Sequence, residues 1–443
     1  MASAAEQLAS NINFSAFAKA TELQQRILFT LLALVVYRIG TYIPLPGIDP
    51  AVIIRSYEQP GTMGILGMLD MFAGGALGRS AIFSLNIMPY ISASIIMQLM
   101  TTVSPTLEQL KKEGEQGRKK MNQYTRYLTV ALASVQAYAA AAFLQSSGFV
   151  NEGATLFIPS TVITLVGGTI FLMWLGERIT ARGVGNGISL LIFAGIIAEL
   201  PRNLFQILAQ GEQIGGVVIV LFLLLLIGLF AFIVFMERAQ RRILIQYPKR
   251  QVGNRMYGGE SSHLPLKLNT AGVIPPIFAT SILLLPATMI GFSAQGGGPE
   301  WLQTTAAYLG HGSWTYMLLL SAGIIFFCFF YTAIVFNPED TADNLKKYGG
   351  FVPGIRPGKK TAEYLDYVLT RLTVVGALYL TFVCLVPEFL YASRSGIPVQ
   401  FGGTSLLIVV TVTMDTVAQI QSHLLAHQYE GLIKKAKLRG SKR

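Results

Sequence analysis

The sequence predicts an all-α integral membrane protein with ten transmembrane helices, and two observations carry that reading. Ten long apolar stretches hold almost none of the 34 Lys and Arg residues, and the connections between them divide those basic residues unequally between alternate sides. The clearest stretch, Val217 to Met236, runs 20 residues without one charged, Asn or Gln side chain. That is the length an α-helix needs to cross about 30 Å of hydrocarbon. Composition agrees: with 52% hydrophobic residues, 13% charged residues and a mean hydropathy of +0.52, a soluble globule would lack the polar surface to cover itself.

Residues 1–26 are mixed polar and Ala-rich and read as a cytoplasmic segment without an evident cleavable signal, so the first span is expected to stay as an anchor. The spans then follow in order. Ile27 to Ile43 carries Arg38; Ile82 to Thr101, Tyr127 to Ser147, Ile158 to Gly176 and Ile188 to Phe205 complete a first half, residues 27–205. Gly216 to Met236, Ala271 to Phe292, Tyr316 to Phe336, Leu372 to Tyr391 and Thr404 to Leu424 form a second, residues 206–424, before a basic tail at 425–443. Alternate connections place 29 of the 34 basic residues on one side, four opposite (Arg55, Arg79, Arg202 and Arg394) and Arg38 inside a span. The positive-inside rule makes the basic side cytoplasmic, and an even number of crossings puts both termini there. Five crossings per half give the second half the opposite orientation, so inverted repeats with a pathway at their junction are open to this chain.

Three connections are unusual. Pro44 to Leu77 contains GTMGILGMLDMFAGGAL (Gly61 to Leu77), apolar, Gly-rich and too short to cross. Irregular backbone survives at membrane depth only inside protein or a watery cavity, which suggests a re-entrant element; an interfacial helix is the alternative. Two cytoplasmic connections of roughly 34 residues, 237–270 and 337–371, exceed what a helical hairpin requires. In the first, RRILIQY and SSHLPLKL read as paired strands around a Gly- and Arg-rich tip, Gln251 to Gly259. In the second, ADNLKKYG and TAEYLDYVLTR read as short helices flanking GGFVPGIRPGKK. Arg250, Arg255, Arg356, Lys359 and Lys360 project from these tips and suggest partner docking, beyond mere attraction to anionic membrane lipids.

Chemistry-bearing motifs are absent from this reading. Cys328 and Cys384 fall within spans as small hydrophobes, the four His form no ligand set, and no metal or cofactor is expected. The glycines of ARGVGNGIS (Ala181 to Ser189) follow no strand, and GIRPGKK misses the phosphate-loop spacing, placing Lys360 where Ser or Thr should bind magnesium. No enzyme is expected. Arg38, Glu388 and Asp415 are the best intramembrane charges for a carrier, so a secondary transporter of a small solute is the alternative function. The apolar pairs Ile87 and Ile91, and Ile188 and Ile192, each stand four apart on one helix face.

NIMPYISASIIMQL, FLMWLGERITARGVGNGIS, HLPLKLNTAGVIPPIF, VFNPEDTADNLKK, FVPGIRPG and FGGTSLLIVV together resemble the bacterial SecY family, in family order along nearly the whole chain. The resemblance implies ten helices in two inverted five-helix halves around a central pore with a re-entrant plug. It implies a protein-conducting channel in the bacterial plasma membrane that passes unfolded secretory polypeptides outward and releases apolar segments sideways into lipid. Carried over by motif, the pore ring comprises Ile87, Ile91, Ile188, Ile192, Ile277 and Ile408. The plug is about Gly61 to Gly75, including Met63, Ile65, Leu66, Met68, Leu69, Met71 and Phe72. The lateral gate holds Ser92, Gln98, Thr280 and Ser281, whose interhelical hydrogen bonds would contribute about 1 kcal/mol each. Leu285 stands there where some relatives carry an aromatic, and Asn254 precedes Arg255 where some carry paired basics. Implied partners are the SecE and SecG membrane subunits, the SecA motor ATPase, the ribosome with its RNA, signal sequences and nascent polypeptides.

Overall fold

The computed structural model describes residues 20–48, 74–146, 150, 156–209, 216–247, 250–252, 255–257, 261–283, 308, 313–392 and 402–440. They fold in two compact units, the described residues of 1–206 and 408–443, and the described residues of 207–287 and 304–407.

In the first unit, α1 (Thr21–Gly40) is followed by α2 (Met88–Val103), α3 (Pro105–Lys112), α4 (Glu115–Ser146), α5 (Phe157–Arg182) and α6 (Gly187–Ala209). The second span was expected from Ile82, yet α2 begins only at Met88. Asn86 sits in the left-handed region at φ 49°, and Pro89 occupies the first turn, where its missing N–H costs nothing. Residues 74–87 are therefore turns, tied to the end of α1 by Leu45 N–H to Ser80 O (2.9 Å) and Ile82 N–H to Ile43 O (2.9 Å). A core of Leu45, Ile48, Ala137, Ala141, Phe157 and Leu165 joins this stretch to α4 and α5. Most of α12 (Gly403–Gly440) also belongs here, and Leu424 packs with Leu23 of α1 and Val184.

The second unit opens with α7 (Gly216–Arg238), apolar on every side, as a helix surrounded by lipid must be. Strand β1 (Gln240–Gln246) pairs antiparallel with β4 (Ser261–Lys267), Ile243 opposite Leu264, as the sequence suggested. The short strands β2 (Arg250–Val252) and β3 (Arg255–Tyr257) extend pairing into the tip, where only a loop was expected. Then come α8 (Ile274–Leu283), α9 (Trp314–Val335), α10 (Pro338–Lys347) and α11 (Lys359–Ala392). Helix α10 is capped by Asn337, whose side-chain oxygen accepts from Glu339 N–H at 3.0 Å, with acidic residues in its first turn and lysines in its last.

TAEYLDYVLTR is not the separate short helix expected; it forms the first turns of α11, continuous into the ninth span. The basic tail likewise continues α12 to Gly440. Seven described helices are long and apolar enough to cross a membrane, and α2 and α8 are shorter apolar helices.

The two long connections meet. Gln246 and Phe351 exchange backbone hydrogen bonds at 2.9 and 3.0 Å, and Ile243, Leu266, Val352, Leu365, Val368 and Leu372 form a common core. The two connections thus form a small packed head rather than two loose loops. Leu365 is fully buried there, so Leu365→Ala is expected to destabilise the head by about 2–5 kcal/mol. Limited proteolysis checks this: cleavage within 240–267 should accelerate while the membrane helices stay protected.

Candidate functional site

The turn between α5 and α6 fixes the start of α6 by saturating its backbone. Val184 N–H donates to Thr30 Oγ1 (3.1 Å), Gly185 N–H to Gln419 Oε1 (2.9 Å), Gly187 N–H to Thr180 Oγ1 (2.8 Å) and Ile188 N–H to Asn186 Oδ1 (3.1 Å). These amides are already engaged, so the glycines serve close helix approach and not phosphate binding. Gly185 is in the left-handed region at φ 89°, and a Cβ on Gly187 would stand 2.0 Å from Gly176 O.

Ile188 and Ile192 occupy the first two turns of α6, with Ile192 buried and Ile188 half-buried against Gly176 of α5. Ile87 caps α2 and is fully buried, with Ile91 one turn on and also buried. Ile408 lies buried in α12. These five belong to the first unit, and half-buried Ile277, in the first turn of α8, belongs to the second.

Of the expected seam residues, Ser92 is buried and Gln98 half-buried on α2, where Gln98 Oε1 has no hydrogen-bond partner. The Thr280 hydroxyl bonds back to Pro276 O (2.9 Å) and Ile277 O (3.0 Å) of its own helix, while Ser281 Oγ is buried without a partner. Leu285 lies outside the described residues, as do Gly61, Met63, Ile65, Leu66, Met68, Leu69, Met71 and Phe72.

Gly75 is described, and it marks an ion cluster at the end of the re-entrant candidate. Arg79 Nη2 donates to Glu199 Oε1 at 2.8 Å, Arg38 Nη2 lies 3.7 Å from the same oxygen, and Arg38 Nη1 donates to Gly74 O at 2.6 Å. Both guanidiniums stack on Tyr42, at 4.9 Å for Arg38 and 4.3 Å for Arg79. Gly75 is in the left-handed region at φ 77°, and a Cβ there would stand 2.3 Å from Glu199 Oε1, so a larger residue would strain the backbone and push the ion pair aside.

In the packed head, Arg356 is exposed between two left-handed glycines, Gly354 and Gly358, and its carbonyl accepts from Thr361 Oγ1 at 2.9 Å. Lys359 and Lys360 fall in the first turn of α11 rather than on the loop, where the helix dipole disfavours cations. Lys360 compensates through Glu363 at 2.8 Å; that hydrogen bond holds the ammonium above its usual range and the carboxyl below it. Arg250 pairs in register with Tyr257, and Arg255 with Val252.

The SecY family model matches residues 81–417, and the Escherichia coli K12 "Protein translocase subunit SecY" is 55% identical over 427 residues, covering 95% of this chain and 96% of that protein. This chain belongs to the SecY family. The Pseudomonas aeruginosa protein of the same description is 56% identical over 426 residues, covering 95% of each chain. Among solved structures, one described as "The structure of a protein conducting channel" matches with a TM-score of 0.64 at 19% identity, over 90% of this chain and 92% of that one. The Sec61 chain of a canine ribosome-channel complex matches at 0.60 and 18% identity over the same shares. At such identities these two establish a common SecY-type fold.

Glu199 is the site residue that sequence reasoning on this SecY chain missed. Arg79 and Arg202 counted only as outer-loop charges and Arg38 as an intramembrane charge open to a carrier, because the ion pair from Arg79 to Glu199 joins positions 120 apart. A readable signal existed: Glu199 is the lone carboxylate of the apolar run from Gly187 to Leu200.

Proposed function

We propose that this chain is the protein-conducting subunit of a bacterial protein translocase, passing unfolded secretory polypeptides across the plasma membrane and releasing transmembrane segments laterally into lipid. The observation that carries this reading is the 55% identity to a translocase subunit along 95% of the chain. Ile87, Ile91, Ile188, Ile192, Ile277 and Ile408 form the constriction: isoleucine closes around a moving chain without offering hydrogen bonds, and a dry constriction opposes ions by dewetting. Gly61 to Gly75 plugs the resting pore, with Arg38, Arg79 and Glu199 anchoring its return limb. Ser92, Gln98, Thr280, Ser281 and Leu285 belong to a lateral gate that opens toward lipid. Both termini are cytoplasmic, and the secondary-transporter alternative loses support to the 55% identity with a translocase subunit.

The packed head, with Arg250, Arg255, Arg356, Lys359 and Lys360, is the docking surface for the SecA motor and the translating ribosome, whose RNA phosphates would make binding strongly salt-dependent. SecE and SecG complete the membrane complex. The head test is Arg356→Glu. Because the Arg356 side chain is exposed, the variant should insert and fold normally. Removing one phosphate contact and adding a repulsive charge should weaken ribosome or motor binding roughly tenfold or more. Ribosome co-sedimentation at graded salt and motor ATPase stimulation read the effect; unchanged values in both would reject the docking role.

A further inference from the structure

The turn that joins α5 to α6 is held from outside its own hairpin by α12. Gly185 N–H donates to Gln419 Oε1 at 2.9 Å, and a Cβ on Gly185 would stand 3.2 Å from Thr416 Oγ1, three residues earlier on α12. Val184 packs with Leu424 of the same helix. We propose that Gln419 is a positioning residue for the pore constriction: through the Gly185 amide it fixes the start of α6, and with it Ile188 and Ile192, relative to Ile408 on its own helix. This rests on the reading of those isoleucines as the constriction.

The turn's hydrogen bonds divide by reach. Gly187 N–H goes to Thr180 of α5, and Ile188 N–H to Asn186, the N-cap of α6; both bonds shape the hairpin but leave it free to move as a body. Val184 N–H to Thr30 of α1 and Gly185 N–H to Gln419 of α12 tie it to other helices. Of these two, only Gln419 stands on a helix that carries a constriction residue. Gln419 is eleven residues from Ile408, about three turns of α12, so the two share one face. Ile188 and Ile192 follow Gly185 by three and seven residues. Each helix is continuous from this contact to its isoleucines, so no joint lies between to absorb a shift.

The turn has little freedom to adapt if that bond is lost. Gly183, Val184, Gly185 and Gly187 are buried, and Gly185 lies so close to α6 that a Cβ would stand 2.9 Å from Leu190. Without an acceptor at position 419, the Gly185 N–H is a buried donor left unpaired, and the turn must shift to find another. The Gln419 side chain itself is exposed, so replacing it leaves the apolar core of Leu23, Val184 and Leu424 intact.

The test uses the full-length channel, purified with its membrane partners and reconstituted into proteoliposomes. Q419L removes the acceptor, whereas Q419E keeps a side-chain oxygen at the same reach. In Q419L the amide hydrogens of residues 184–190 should exchange roughly fivefold faster, and resting chloride leakage should rise roughly fivefold. The variant should also export a substrate whose defective signal sequence wild type rejects. Q419E should match wild type in all three. A merely structural role would instead lower the melting temperature of Q419L and its export of every substrate. Unchanged exchange in Q419L, or equal leakage in Q419L and Q419E, overturns the role of Gln419. A channel with serine at Ile87, Ile91, Ile188 and Ile192 separates the two failures. If it leaks while Q419L stays tight, the constriction stands and only Gln419 is removed; if both stay tight, the constriction itself is wrong.

Discussion

Serine at Ile87, Ile91, Ile188 and Ile192 together should raise resting chloride or water leakage of proteoliposomes by on the order of tenfold, the effect of lowering the barrier by about 1.4 kcal/mol. Serine shortens each side chain and supplies a hydroxyl that wets the narrowest point, so the seal should fail before transport does. A wetter, wider constriction should also relax the need for a good signal sequence. Single replacements should have little effect, because the remaining residues still narrow the opening. Valine at the same four positions keeps the surface dry and should leave leakage near wild type, which separates wetting from general disruption of the buried helix starts. Leakage that does not change in the fourfold serine variant would remove these residues from the constriction.

Glu199→Gln should have the second-largest effect. The Glu199 side chain is 9% exposed, with Arg79 at 2.8 Å and Arg38 at 3.7 Å. Removing one partner of a fully buried ion pair costs about 3–5 kcal/mol. Here the guanidiniums keep 20% and 28% exposure, so water screens part of the loss and roughly 2 kcal/mol is expected. Arg202, 60% exposed and 4.0 Å away, contributes little. The loss should appear as a lower melting temperature and, because the cluster holds Gly74 and Gly75, as a leak at rest. Arg38→Lys should give a milder version, since an ammonium replaces the planar fork that reaches Gly74 O. A normal melting temperature and a tight resting state in Glu199→Gln would show that the cluster does not anchor the return limb.

What the sequence disclosed follows from which forces act locally. Hydropathy reported the helices because lipid contact demands apolar side chains residue by residue, and strand alternation in RRILIQY reported β1, whose Ile243 and Ile245 turn inward. It misplaced ends where backbone geometry decides them. The apolar stretch before α2 continues through Ile82, but the left-handed Asn86 delays the helix to Met88. In the other direction, nothing between Thr361 and Leu372 can break a helix, so α11 runs on from Lys359 although the segment read as a short helix of its own. Charge composition singled out the residues proposed for docking without revealing that Leu365 and Ile243 join both connections in one core. The lone carboxylate Glu199 was legible, but its pairing with Arg38 and Arg79 was not, because the three come from segments brought together only by the fold.

The most direct measurement is crosslinking from a secretory polypeptide arrested midway through export, using single cysteines at Ile91, Ile192, Ile277 and Ile408. A protein-conducting channel with this constriction requires all four positions to react with the arrested chain, and lipid-facing controls such as Leu221 and Phe235 of α7, both exposed, to remain silent. Reaction at the α7 controls with silence at all four isoleucine positions would contradict a conduction path through this site.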